Sequence, residues 1–155
     1  MKKRMLVISS VLILVIAAIC TLPWPEKVHV ELKGWAVDEA GNVTEGANVH
    51  LEGWYLHYLL RQDQLDVDIT VSDGNTIAVF SADVPVIGIP EGRRYAAGLY
   101  YDGEANSYLP FQLGFDGEWN KCVLITEETA TVYATGSAHT LEALQEFFTY
   151  AVIAD

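Results

Sequence analysis

A chain of 155 residues with 21 acidic side chains against nine Lys and Arg carries a formal charge of −12, and 51% of its residues are hydrophobic. Such a field repels phosphate backbones and offers no basic stripe to neutralise them, which excludes nucleic acid as a partner. Of the two cysteines, Cys20 falls in an apolar N-terminal stretch and Cys122 in a β-like run, so stability has to come from packing and not from a disulfide framework.

Residues 1–4 form a basic start, and residues 5–22, Met5 to Leu22, run eighteen positions without a charge. At 1.5 Å per helical residue that is about 27 Å, close to the hydrocarbon thickness of a bilayer, whereas a cleaved signal carries an apolar region of roughly 7 to 15 residues. Length therefore predicts an uncleaved, single-pass transmembrane helix, which makes the membrane the first partner. Lys2, Lys3 and Arg4 assign the N-terminus to the cytoplasmic side and the bulk of the chain to the extracytoplasmic side. Two alternatives share Ala17, Ala18 and Cys20: secretion after signal cleavage, and lipoprotein attachment through Cys20. Ile19 stands where lipoprotein signals carry a small residue, and Ala-x-Ala spacing is not cleanly met, so retention is the expectation. Residues 23–27 read as a short juxtamembrane joint, with Trp24 suited to the interface.

Residues 28–155 read as one extracytoplasmic domain, long enough to bury a core. Three of the nine basic residues precede the anchor, so six remain against 21 acids and the domain is near −15. Val28, Val30 and Leu32 alternate with His29, Glu31 and Lys33 as a strand does, and Asp38 to Asn42 reads as a turn. A second strand runs through Val49, Leu51 and Tyr55, with Gly53 marking a bulge or close approach and Tyr58 to Gln64 turning helical. Leu65 to Val71 alternates without exception, and Ser72 to Asn75 turns it into Ile77 to Ser81. Further strands are predicted at Arg94–Tyr101, Tyr108–Phe115, Trp119–Ile125 and Thr129–Thr135, with Asp116-Gly117 as a two-residue hairpin loop. The period then changes: Leu141, Leu144, Phe148 and Val152 recur at helical spacing behind a Thr140 N-cap, giving a helix over 141–152. The fold class is mainly β, an antiparallel sandwich or open barrel of about 7–9 strands. One C-terminal α-helix covers a face or an open end of it, and the transmembrane helix precedes it.

No residue pattern predicts a cofactor, a metal or a catalytic centre. His29, His50, His57 and His139 do not fall at paired spacing, and on a straight strand His50 and His57 point to opposite faces. Asp63, Asp66, Asp68, Ser72 and Asp73 lack the glycine and terminal carboxylate of a calcium loop and read as a solvated strand face. Glu127-Glu128 could serve a carboxylate pair, but sequence does not measure the gap such chemistry needs. Cys122 reads as core filler. An interaction surface is expected at Trp54, Tyr58 and Tyr100, because aromatics occupy both parities of their strands and one core does not hold them all. Arg93 and Arg94, the one basic pair of the domain, join that surface as anchors for a carboxylate or phosphate, or pair with Glu91 and Asp102. The reading of function is a membrane-anchored binding or assembly module of a bacterial-type cell envelope, with an envelope protein or a second copy of the chain as partner. The alternatives are a carboxylate-dependent hydrolase acting outside the cytoplasm and a structural domain; the absence of a catalytic signature weighs against an enzyme.

Overall fold

The structure is a computed structural model that describes residues 2–72, 77–89, 92–102, 106–126 and 131–149. Helix α1 (Lys2–Thr21) precedes eight strands: β1 (Trp24–Val37), β2 (Val43–His57), β3 (Gln64–Ser72), β4 (Ile77–Ile89), β5 (Arg93–Asp102), β6 (Ser107–Asp116), β7 (Lys121–Thr126) and β8 (Thr131–Thr135). Helix α2 (Leu141–Phe147) follows. Every strand pairs antiparallel with its sequence neighbour, and β8 returns to β1 to close the barrel. The expected sandwich or open barrel is thus corrected to a closed one. Closure removes both sheet edges, which an open sheet of such apolar strands would leave exposed to aggregation.

Eight strands enclose a lumen that side chains just fill. Val28 and Leu32 of β1, Val49, Leu51 and Tyr55 of β2, Leu65, Val67 and Ile69 of β3, Phe111, Leu113 and Phe115 of β6 and Leu124 of β7 make one continuous core. The alternation of β3 predicts its inward set without error. Cys122 is fully buried in the same core, where burial and the nearby Asp116 push its thiol up to about 12, so it is inert filler.

Closure depends on a close approach at the seam. A Cβ on Gly34 would lie 1.8 Å from the Tyr133 carbonyl oxygen, so only glycine lets β1 meet β8 here. The β1–β2 register shifts between Gly34 and Trp35, bending β1 at that point. Gly53 is the second close approach, as its position in β2 suggests: a Cβ there would lie 2.2 Å from the Asp66 carbonyl oxygen. Pro85 is tolerated because it stands where β4 is paired on one side alone, with Gln64 of β3.

α2 lies on the outer wall. Leu144 and Phe148 pack over Val123 and Tyr133, flanked by Trp35, Tyr95 and Ile125. This second layer absorbs many of the outward aromatics that no single core could hold. The Thr140 hydroxyl accepts from Ala143 N as the N-cap. The helix ends at Phe147, short of the expected 152; residues 150–155 lie outside the described part.

Other boundaries also move. Tyr58 to Asp63 forms an irregular loop, not a helix, closed by the Tyr58 N–H donating to Asp63 Oδ1. β7 starts at Lys121, and the Asp116-Gly117 connection is a longer loop in which Asp116 Oδ1 accepts from Asn120 N and Lys121 N. Trp24 to Lys27 of the expected joint are already strand, Trp24 pairing with His57. Among the described residues no helix is long and apolar enough to cross a membrane. The side chains of α1 are described from Val7 onward, and all from Val7 to Ile19 are exposed.

Candidate functional site

β1 begins three residues after α1 ends, so the mouth of the barrel nearest α1 is formed by the start of β1 and the end of β2. Asp63, in the β2–β3 loop, is the hub of this mouth. Its Oδ1 accepts from Tyr58 N at 2.9 Å, and its Oδ2 accepts from the Tyr55 hydroxyl at 2.9 Å and lies 3.2 Å from His57 Nδ1. His57 Nε2 lies 3.0 Å from Glu26 Oε2. With a carboxylate facing each ring nitrogen, the imidazole satisfies both only when it is doubly protonated.

Below this array, Phe115 and Trp119 stack at 4.3 Å with an interplanar angle of 4°, and Tyr55 meets both rings edge-on. Trp119 reaches the plug from its loop through a positive φ of 59°. The Arg94 guanidinium lies over the Tyr55 ring at 4.9 Å. Burial and the bond to Asp63 push the Tyr55 phenol well above its ordinary value, so it remains a donor. Burial also pushes the Asp63 carboxyl up, but the Tyr58 N–H, the Tyr55 hydroxyl and His57 outweigh it and hold the group below its ordinary value.

Above the array opens a cleft of about 330 Å³ lined by Trp24, His57, Tyr58, Leu59 and Asp63. Its walls are apolar and its floor is polar, the usual make-up of a small-ligand site, where apolar contact gives affinity and a few polar groups give orientation. Trp24, Leu59 and Leu60 project from the rim at 60%, 60% and 76% exposure. Arg61 lies 3.6 Å over the Tyr58 ring and puts a cation beside the opening.

The expected surface residues therefore separate. Tyr58 lines the cleft and Arg94 covers Tyr55 at its base, while Trp54 is exposed on the outer wall of β2. Tyr100 is a correction: it lies buried in the barrel core, because its even position on β5 points inward with Ala96. Arg93 is buried and donates to the Phe147 carbonyl oxygen at 3.1 Å, where a cation satisfies the C-terminal end of α2. Glu91, the side chain of Asp102, Asp73 and Glu127-Glu128 fall outside the described residues. Sequence reasoning missed His57, Glu26 and Asp63 as a group. The visible signal was a polar cluster at the end of a strand, but Asp63 reads equally well as part of the acidic face of β3.

Asp63→Asn should lower stability by about 1.5–3 kcal/mol at neutral pH, the range for hydrogen bonds to a charged group. Because the folded carboxyl titrates below its unfolded value, this contribution is present above the unfolded value and is lost as pH falls through the folded one. Urea unfolding of both proteins should show a gap at neutral pH that closes in acid. A gap independent of pH would contradict the ionised hub.

No protein-family model matches the chain, and neither the curated proteins nor the solved structures contain a match.

Proposed function

We propose that the chain is a membrane-tethered binding module, held by residues 5–22 with its barrel on the extracytoplasmic side, whose cleft beside α1 receives a ligand or partner presented at the membrane surface. The observation that carries this reading is the placement of the cleft: a helix whose apolar side chains from Val7 to Ile19 are exposed ends at the rim where Trp24, Leu59 and Leu60 project. A helix apolar on all sides has to be covered by lipid or protein, and Trp is the residue most at home at the interface. The basic residues at positions 2–4 support the orientation. The Glu26–His57–Asp63 array supports binding over carboxylate hydrolysis, since one imidazole fills the gap that two hydrolytic carboxylates leave for a sugar and a water.

The full chain should sediment with membranes and resist alkaline carbonate extraction, and deletion of residues 5–22 should release it. In vesicles with brominated acyl chains, Trp fluorescence should be quenched, and Trp24→Phe should remove most of the quenching. A full chain recovered in the soluble fraction would overturn the tether, and quenching unchanged in Trp24→Phe would overturn the rim's contact with the interface.

A further inference from the structure

Strand pairing brings together two histidines that are remote in sequence. On the outer face of the barrel, His29 of β1 lies opposite Glu52 of β2, and Glu31 lies opposite His50, so the four side chains form a two-by-two block. Directly opposed residues in an antiparallel pair have Cβ atoms about 4.5–5.5 Å apart, which places imidazole and carboxylate tips within reach of one another. The imidazole centroids are 5.4 Å apart. Ligand atoms of His29, His50 and Glu52 all lie within 4.8 Å of one another.

We infer that His29, His50 and Glu52 form a binding site for a first-row divalent cation of the zinc type, with Glu31 orienting His50 from outside. Two imidazoles and one carboxylate are a donor set that suits zinc and its neighbours and does not suit calcium or magnesium, which take oxygen ligands alone. The spacing fits. Tetrahedral ligands held at about 2.0–2.2 Å from zinc stand roughly 3.3 Å from each other. His50 Nε2 is 3.7 Å from Glu52 Oε2, and His29 Nδ1 is 3.9 Å from Glu52 Oε1. These separations are too long for hydrogen bonds, and an ion drawing the three side chains inward would have to shorten them by about half an ångström or more.

A second, independent observation concerns the other nitrogen of His50. Among the described residues, two buried side-chain polar atoms have no hydrogen-bond partner, Tyr95 Oη and His50 Nδ1. His50 Nδ1 lies 3.7 Å from Glu31 Oε1. A metal-bound histidine donates its free N–H to a carboxylate, and Glu31 stands on the side of the ring where that acceptor is needed. The net charge of −12 raises the local cation concentration around the site.

The test uses the full chain in detergent micelles with any affinity tag removed, titrated with zinc chloride against a chromophoric chelator. One equivalent should bind at neutral pH. His29→Ala, His50→Ala and Glu52→Gln should each weaken it by about tenfold or more, since even a lost outer partner costs 10–100-fold. His139→Ala should leave the affinity unchanged. Zinc should raise the melting temperature of the wild type and leave that of Glu52→Gln unmoved, a comparison open even if a histidine variant folds poorly. Failure of the folded wild type to bind zinc, equal affinity in all three variants, or displacement of zinc by an equal concentration of calcium would each overturn the assignment.

Discussion

Gly34→Ala should destabilise the chain by about 4 kcal/mol or more, in the range reserved for gross steric or burial faults. The methyl group would lie 1.8 Å from the Tyr133 carbonyl oxygen and 2.7 Å from the Ala134 Cα, both backbone atoms that cannot swing aside. β1 and β8 would have to separate, and the seam is short: among the described residues, five paired positions from Lys33–Thr135 to Val37–Thr131. Losing it would reopen the barrel and expose Leu32, Ala36, Val132 and Ala134 together. Gly88→Ala is the matched control, because a Cβ there meets nothing within 4 Å; its midpoint in urea should stay within about 0.5 kcal/mol of wild type, as for ordinary surface changes. Equal midpoints for the two variants would show that the seam does not depend on Gly34.

Phe115→Ala should cost about 3–5 kcal/mol, the usual range for deleting a buried aromatic ring. Phe115 has no exposed surface and is stacked on Trp119, with Tyr55 edge-on at 6.1 Å. Its removal would leave a void directly beneath the cleft, so the effect should extend to the site. With Tyr55 free to tilt, its bond to Asp63 loses geometric support, and Asp63→Asn should cost less in the Phe115→Ala background than in wild type. A double-mutant cycle by urea unfolding measures that coupling, expected at about 0.5 kcal/mol or more for residues that share a partner. Strict additivity would mean that the aromatic plug and the polar hub act independently. Phe115→Leu, which keeps most of the volume, should recover more than half of the stability.

Much of the barrel was legible because alternation is a local property. Leu65, Val67, Ile69 and Val71 declare the inward face of β3 whatever stands beside it, and Thr140 announces α2 from its own hydroxyl. The Asp38–Asn42 turn was equally readable, since Asp38 accepts from both Asn42 nitrogens within five residues. Tyr100 was misread because it stands beside Tyr101 and near Tyr95 on one strand, and the sequence does not say which parity of β5 enters the barrel core. His29 and His50 looked scattered because same-strand spacing says nothing about cross-strand neighbours.

The amino-acid sequence by itself determined which residues face inward where a strand alternates strictly, as in β3, that the domain is β-rich and strongly acidic, that no internal disulfide supports it, and that an apolar segment precedes it. The tertiary structure alone decided that the sheet closes, that Asp63 leaves the β3 face to become the hub of a mouth, and that two histidines and two glutamates share one patch of wall. The reason is physical: inward or outward direction is set within each strand at period two, whereas the neighbour across the ladder depends on register, and register is settled by turns, bulges and the Gly34 seam acting together around the ring.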